Sequence, residues 1–84
     1  MHILPKYRFT LFIMVKKAIN RIKVALVERE RTNKWLASKL NKSAGTVSRW
    51  CTNDMQPSLE TLVQIAEILK MDVRELLVKT NDPS

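Results

Sequence analysis

Residues Thr32 to Trp50 read TNKWLASKLNKSAGTVSRW. Leu36, Ala37 and Leu40 recur at helical spacing and mark the inner face of a short amphipathic helix, with Thr32 placed to N-cap it. Asn41-Lys42 makes a turn. Ser43 is a good N-cap for a following helix, expected from Ala44 to about Cys51 with Val47 and Trp50 turned inward. Asn53 is placed to end that helix in a left-handed conformation, which asparagine tolerates better than most residues.

Working outward, the chain is helical on both sides. Ile19, Ile22 and Leu26 recur among Lys, Arg and Glu and predict helix 1. Downstream, Pro57-Ser58 starts helix 4, with Ser58 as cap and Leu59, Leu62, Ile65, Ala66 and Leu69 as buried stripe. Asp72 caps a short helix 5 holding Val73, Leu76 and Leu77. Residues 80–84 form a tail expected to fray. Residues 1–15, MHILPKYRFTLFIMV, differ from everything after them. Their apolar run, Phe9 to Val15, is far shorter than the ~20 residues needed to span a bilayer. Lys16 and Lys17 follow it with no small-residue cleavage site, unlike a signal peptide. Two readings stand: an apolar arm, strand-like, that packs on its own domain or a partner subunit, or an upstream extension with Met14 as the natural start. The expected fold is all-α: a five-helix bundle over residues 16–79, with helices 2 and 3 forming a helix-turn-helix, plus the apolar N-terminal arm.

Eighty-four residues make one small domain near the lower limit for an independent core. Cys51 is the single cysteine and has no internal disulfide partner, which suits a reducing cytosol. The net charge is +7 and unevenly placed. Residues 1–53 hold 12 of the 15 Lys/Arg and 2 of the 8 Asp/Glu, a balance of +10, whereas residues 54–84 carry −3. A basic half joined to a mildly acidic one suggests a face matched to a polyanion. Two short helices joined by a tight turn, the second with small polar side chains, one arginine and few acids, have the layout that inserts its second helix into the DNA major groove.

Three pieces of sequence carry a family resemblance: Leu36-Ala37 with Leu40, Thr46-Val47-Ser48-Arg49-Trp50, and Pro57-Ser58-Leu59-Glu60-Thr61-Leu62. Over about Asn20 to Val78 the chain resembles the Cro/repressor-type (XRE-like) helix-turn-helix proteins. The resemblance implies a repressor-like bundle and sequence-specific binding of double-stranded DNA by a small transcriptional regulator. Three positions depart from the family pattern. Asn33 stands where the family often has Gln, Cys51 where it often has Glu, and Asn53 where a Gly usually ends helix 3. The first shortens a side chain that reaches for a phosphate oxygen; the second removes any ion pair that Glu would make.

In such a motif the start of helix 3 points at base edges while helix 2 lies across the backbone. The base-reading candidates are Ala44, Gly45, Ser48 and Arg49. Arginine can donate two parallel hydrogen bonds to guanine, a pair that discriminates by about 1–3 kcal/mol. The small Ala44 and Gly45 permit close approach, and Ala44 can touch a thymine methyl. With so few reading side chains, direct readout is expected to be modest, with water and DNA shape adding to it. Phosphate candidates are Asn33 and Lys34 at the positive end of helix 2, with Lys42, Ser43 and Thr46. Trp50 is expected in the core. Trp35, away from Leu36 and Leu40, is expected to pack at the core edge; it could also cover part of helix 1, receive the arm or join a subunit contact.

Catalysis is not expected. His2 is the only histidine, and there is no phosphate-cradling glycine loop, metal-ligand cluster or nucleophile–base pair. No cofactor or metal is called for. The resemblance and the late apolar residues predict a homodimer on an inverted-repeat operator, half-sites about one helical turn apart, with Val73, Leu77 and Val78 as interface candidates. The expected setting is cytoplasmic and nucleoid-associated, with no membrane. The rival reading is an antitoxin-like or adaptor module: its acidic C-terminal helices hold a protein partner, such as a toxin or restriction-modification component, and DNA binding is secondary.

Overall fold

The computed structural model describes residues 17–81; the arm at 1–15 and most of the expected tail lie outside the described residues. Four helices follow in order: α1 (Ile22–Glu28), α2 (Asn33–Leu40), α3 (Ala44–Cys51) and α4 (Leu59–Leu69). A single 3₁₀ turn, Val73–Leu76, closes the domain. Each helix after α1 starts where the sequence provides an N-cap. Thr32 Oγ1 accepts from the Trp35 N–H, Ser43 Oγ from Thr46 and Ser58 Oγ from Thr61, each at 3.1 Å. Each cap satisfies one of the N–H groups that a first helical turn leaves without a partner.

All four helices stop in the same way. The N–H groups of Arg31, Lys42, Asp54 and Met71 reach back five residues to Leu26, Ala37, Arg49 and Ala66. The residue before each, Glu30, Asn41, Asn53 or Lys70, lies in the left-handed region with φ of 56°, 56°, 62° and 56°. This is the Schellman termination, usually built on glycine because a Cβ disfavours that conformation. Here no glycine is used for it.

The core draws on every element. Ile22, Leu26, Leu36, Val47, Ile65 and Leu76 are fully buried, with Trp50, Leu62, Ala66 and Leu69 packed among them. Truncating one of the large aliphatic members to alanine costs about 2–5 kcal/mol, the lost transfer energy plus a cavity. Ahead of α1 the chain is extended. Arg21 N–H donates to the Leu76 carbonyl at 2.8 Å and Val78 N–H to that of Ile19 at 2.9 Å, around an antiparallel bridge between Asn20 and Leu77.

Three expectations are corrected. The fifth helix is only that 3₁₀ turn, because Leu77 (φ −118°, ψ 144°) is already extended and taken up in the bridge to Asn20. Helix 1 begins three residues later than Ile19, which is 54% exposed. Its backbone is committed to Val78, and Asn20 Oδ1 accepts from Ile22 N–H at 3.0 Å to start the helix. Leu59, counted into the buried stripe of α4, is 76% exposed. It is the first residue after the cap, so its side chain projects past the end of the packed stripe.

Candidate nucleic-acid interface

Between Leu40 and Ala44 the chain turns in three residues, Asn41 to Ser43, and α2 and α3 pack against each other. From Thr32 to Asn53 there is no acidic residue, while Lys34, Lys39, Lys42 and Arg49 are cationic and exposed. On α3, Val47 and Trp50 face the core and leave Ala44, Gly45, Ser48 and Arg49 together on the outer side. The Arg49 guanidinium makes no hydrogen bond or ion pair with any described residue. Gly45 has no structural need of being glycine: an added Cβ would meet only Ser43 Oγ, at 3.9 Å.

The phosphate candidates are less uniform. Lys34 and Lys42 are exposed and unpaired among the described residues. Ser43 spends its hydroxyl locally, accepting from Thr46 N–H and donating to Thr46 Oγ1 at 2.9 Å. That leaves the Thr46 hydroxyl proton free to turn outward. Asn33 is half-buried, and its Oδ1 accepts from Cys51 Sγ at 3.3 Å, leaving the amide N–H groups for an outside acceptor. Burial holds the Cys51 thiol above its ordinary 9.0, more than the nearby Lys23 ammonium lowers it, so near neutrality the sulfur keeps its donor proton. The Cys51 side chain thus ties the end of α3 to the start of α2.

Two contributors, Lys23 and Asn20, lie outside the sequence reading, as does the side-chain role of Asn53. Lys23 of α1 lies close enough to act electrostatically on Cys51, which adds a cation near the end of α3. Its signal would have been the packing of α1 on α3, invisible in local spacing. Asn20 is buried, 4% exposed, and its Nδ2 donates to the Trp50 carbonyl at 2.9 Å and to Gln56 Oε1 at 2.7 Å. Asn53 Oδ1 accepts from the N–H groups of Ile19 and Asn20 at 2.8 and 2.9 Å, and its Nδ2 donates to the Asn20 carbonyl. Together these two amides clamp the C-terminal end of α3 onto the strand-like lead into α1. An asparagine just ahead of an apolar helical run was the available hint. Trp35 is half-buried at the core edge, its ring stacked by Arg31.

Four short helices with an acid-free, outward-facing second element across a tight turn define a helix-turn-helix domain. The helix-turn-helix family model HTH_3 matches residues 22–76, and the chain belongs to this Cro/repressor-type (XRE) family. In structure the chain is similar to a presumptive DNA-binding protein from Bacteroides fragilis, known from a crystal structure. The two share 55% identity at a TM-score of 0.71, over 71% of this chain and 97% of that one. No curated protein matches the chain. Among the described residues no helix is long and apolar enough to cross a membrane, and no three His, Cys, Asp or Glu residues gather as a metal site.

Proposed function

We propose that this protein is a sequence-specific, non-enzymatic DNA-binding regulator that lays α3 in the major groove as a homodimer on an inverted repeat. The observation that carries the reading is the outer face of α3, where an unpaired Arg49 stands beside Ser48, Gly45 and Ala44 with no acid between Thr32 and Asn53. Arg49 is the base-reading residue, donating to guanine O6 and N7. Ser48 adds a hydroxyl, and the two small residues let the helix seat closely. Asn33, Lys34, Lys42 and Thr46 hold phosphates. Ser43 acts by capping α3 and freeing the Thr46 hydroxyl. The family membership and the Bacteroides fragilis structure support this reading.

Of the dimer candidates, Leu77 is 41% exposed, whereas Val73 and Val78 are half-buried, so Leu77 carries the contact and the valines border it. The functional domain is residues 16–79, acting in the cytoplasm on the nucleoid. Selection of bound duplexes from a random pool tests the reading. It should enrich an inverted repeat whose half-sites lie about one helical turn apart. Failure to enrich any sequence would overturn base readout and favour a protein-binding module. Sedimentation that finds only monomer, free and on DNA, would overturn the dimer.

A further inference from the structure

Helix α2 has two exposed flanks. Its inner stripe is Asn33, Leu36, Ala37 and Leu40; with successive residues about 100° apart, Lys34 falls on one side of that stripe and Trp35 and Lys39 on the other. The Trp35 flank borders a hollow of about 250 Å³ lined by Arg29, Arg31, Trp35, Ile68, Leu69 and Lys70. These residues come from the ends of α1 and α4 and the start of α2. None belongs to α3.

The chemistry of the hollow is cationic around an aromatic ring. The Arg31 guanidinium carbon lies 4.5 Å from the Trp35 ring centre, and the Lys39 ammonium 5.7 Å. Arg29 is held in place by its Nε donating to the Leu69 carbonyl at 2.9 Å. Glu28, Glu30 and Glu67 are near in sequence, yet Arg31, Lys39 and Lys70 form no ion pair with any described residue. Four like charges are thus gathered around Trp35 and the half-buried Ile68, and among the described residues none has a carboxylate within ion-pair distance. The volume is below the range of about 300–1,000 Å³ typical of pockets for drug-sized ligands; it suits a single large side chain. A nucleic-acid backbone offers the negative charge but no apolar side chain to insert.

We propose that this hollow is a docking site for an acidic segment of another protein, with carboxylates on Arg31, Lys39 and Lys70 and one apolar side chain against Trp35 and Ile68. The proposal is independent of which DNA the protein reads. Charge complementarity selects the occupant. A second copy could meet these cations only through its mildly acidic residues 54–84 while bringing along a half of charge +10, so a wholly acidic segment is the better match.

The test uses the full chain and a fluorescent peptide with one leucine flanked on each side by two glutamates, followed by anisotropy. Two exposed double variants with the same charge change are compared, Arg31→Glu/Lys39→Glu and Lys34→Glu/Lys42→Glu, with folding checked by circular dichroism. The expected result is a crossover. The first variant weakens peptide binding by about tenfold or more and leaves duplex binding closer to native; the second does the reverse. A Trp35→Ala variant should also weaken the peptide. The proposal is overturned if the native chain does not bind the peptide, if both double variants lose it equally, or if Arg31→Glu/Lys39→Glu loses the duplex as fully as its counterpart. Self-association of the native chain abolished by Arg31→Glu/Lys39→Glu would likewise overturn it in favour of a second copy.

Discussion

Glycine placed at three of the helix ends should change stability with opposite signs. At Lys70 and Glu30 the backbone is left-handed, and neither side chain makes a hydrogen bond or ion pair with a described residue. Relieving a left-handed conformation gains about 1–2 kcal/mol, and the extra freedom glycine gives the unfolded chain takes back about 0.4–1 kcal/mol. Lys70→Gly and Glu30→Gly should therefore each stabilise the fold by about 0.5–1 kcal/mol. Asn53 has nearly the same φ, but asparagine tolerates it better, so the two backbone effects roughly cancel there. What remains is the side chain. Asn53 makes two part-buried hydrogen bonds with the backbone of Asn20 and two exposed ones, with Ile19 N–H and Gln56 Nε2. Water replaces the exposed pair, while the part-buried bonds are worth about 1 kcal/mol each.

Asn53→Gly should then destabilise the protein by about 2 kcal/mol, a fall of roughly 8–16 °C in Tm for a domain of this size. Lys70→Gly should raise Tm by about 2–8 °C. Asn53→Ala should be worse than Asn53→Gly by about 1 kcal/mol, because it loses the bonds and keeps the strained φ. Urea and thermal unfolding followed by far-UV circular dichroism read all four variants. If Asn53→Gly is as stable as the native protein, or moves with Lys70→Gly, the clamp on Asn20 contributes nothing and the reasoning fails.

Gly45→Ala separates stability from function: helix propensity should add about 1 kcal/mol, while DNA binding weakens because the helix no longer seats as closely. Equal or tighter binding by the alanine variant would remove Gly45 from the interface. Arg49→Ala should relax preference at one base pair by about 1–3 kcal/mol, whereas Lys34→Ala should weaken all sequences alike and reduce the salt slope by roughly 1. Selection and salt titration distinguish the two, and an unchanged motif for Arg49→Ala refutes its role. Cys51 gives a pH dependence. Its folded pKa is raised by burial, so folding is unaffected while the thiol is protonated in both states. As pH rises through its ordinary 9.0, the unfolded chain loses the proton first and stability falls until the folded thiol also ionises. Unfolding measured across that range should show a steeper alkaline loss for the native protein than for Cys51→Ala.

What the sequence made legible is what nearest neighbours decide. Thr32, Ser43, Ser58 and Asp72 were read as caps and serve as caps, because a cap is a contact within three residues. The bounds of α3 and the inward turn of Val47 and Trp50 follow from spacing alone. The left-handed ends at Glu30 and Lys70 were not legible, since neither residue type favours that conformation; the return hydrogen bonds to Leu26 and Ala66 impose it. At Asn53 the backbone role was legible and the larger side-chain role was not, because its partners lie more than 30 residues away.

That distance bears on how the interface works. A helix of eight residues such as α3 is too short to be stable by itself, so its orientation depends on how its ends are fixed. Ser43 fixes the start, and because its hydroxyl donates to Thr46 Oγ1 the Thr46 proton is left to donate elsewhere, on the proposed function to a phosphate. Asn20 and Asn53 fix the end, where the Trp50 carbonyl receives both the Asn53 N–H and the Asn20 amide. Arg49 sits one residue before that carbonyl, so a loosened clamp would shift the side chain to which the proposed function gives base choice. On the proposed function, Asn20 acts as a positioning residue, buried behind the helix it holds. Asn20→Ala should lower sequence preference at the Arg49 base pair more than it lowers the salt slope. The opposite ranking would mean that the clamp holds the fold together but does not aim the helix.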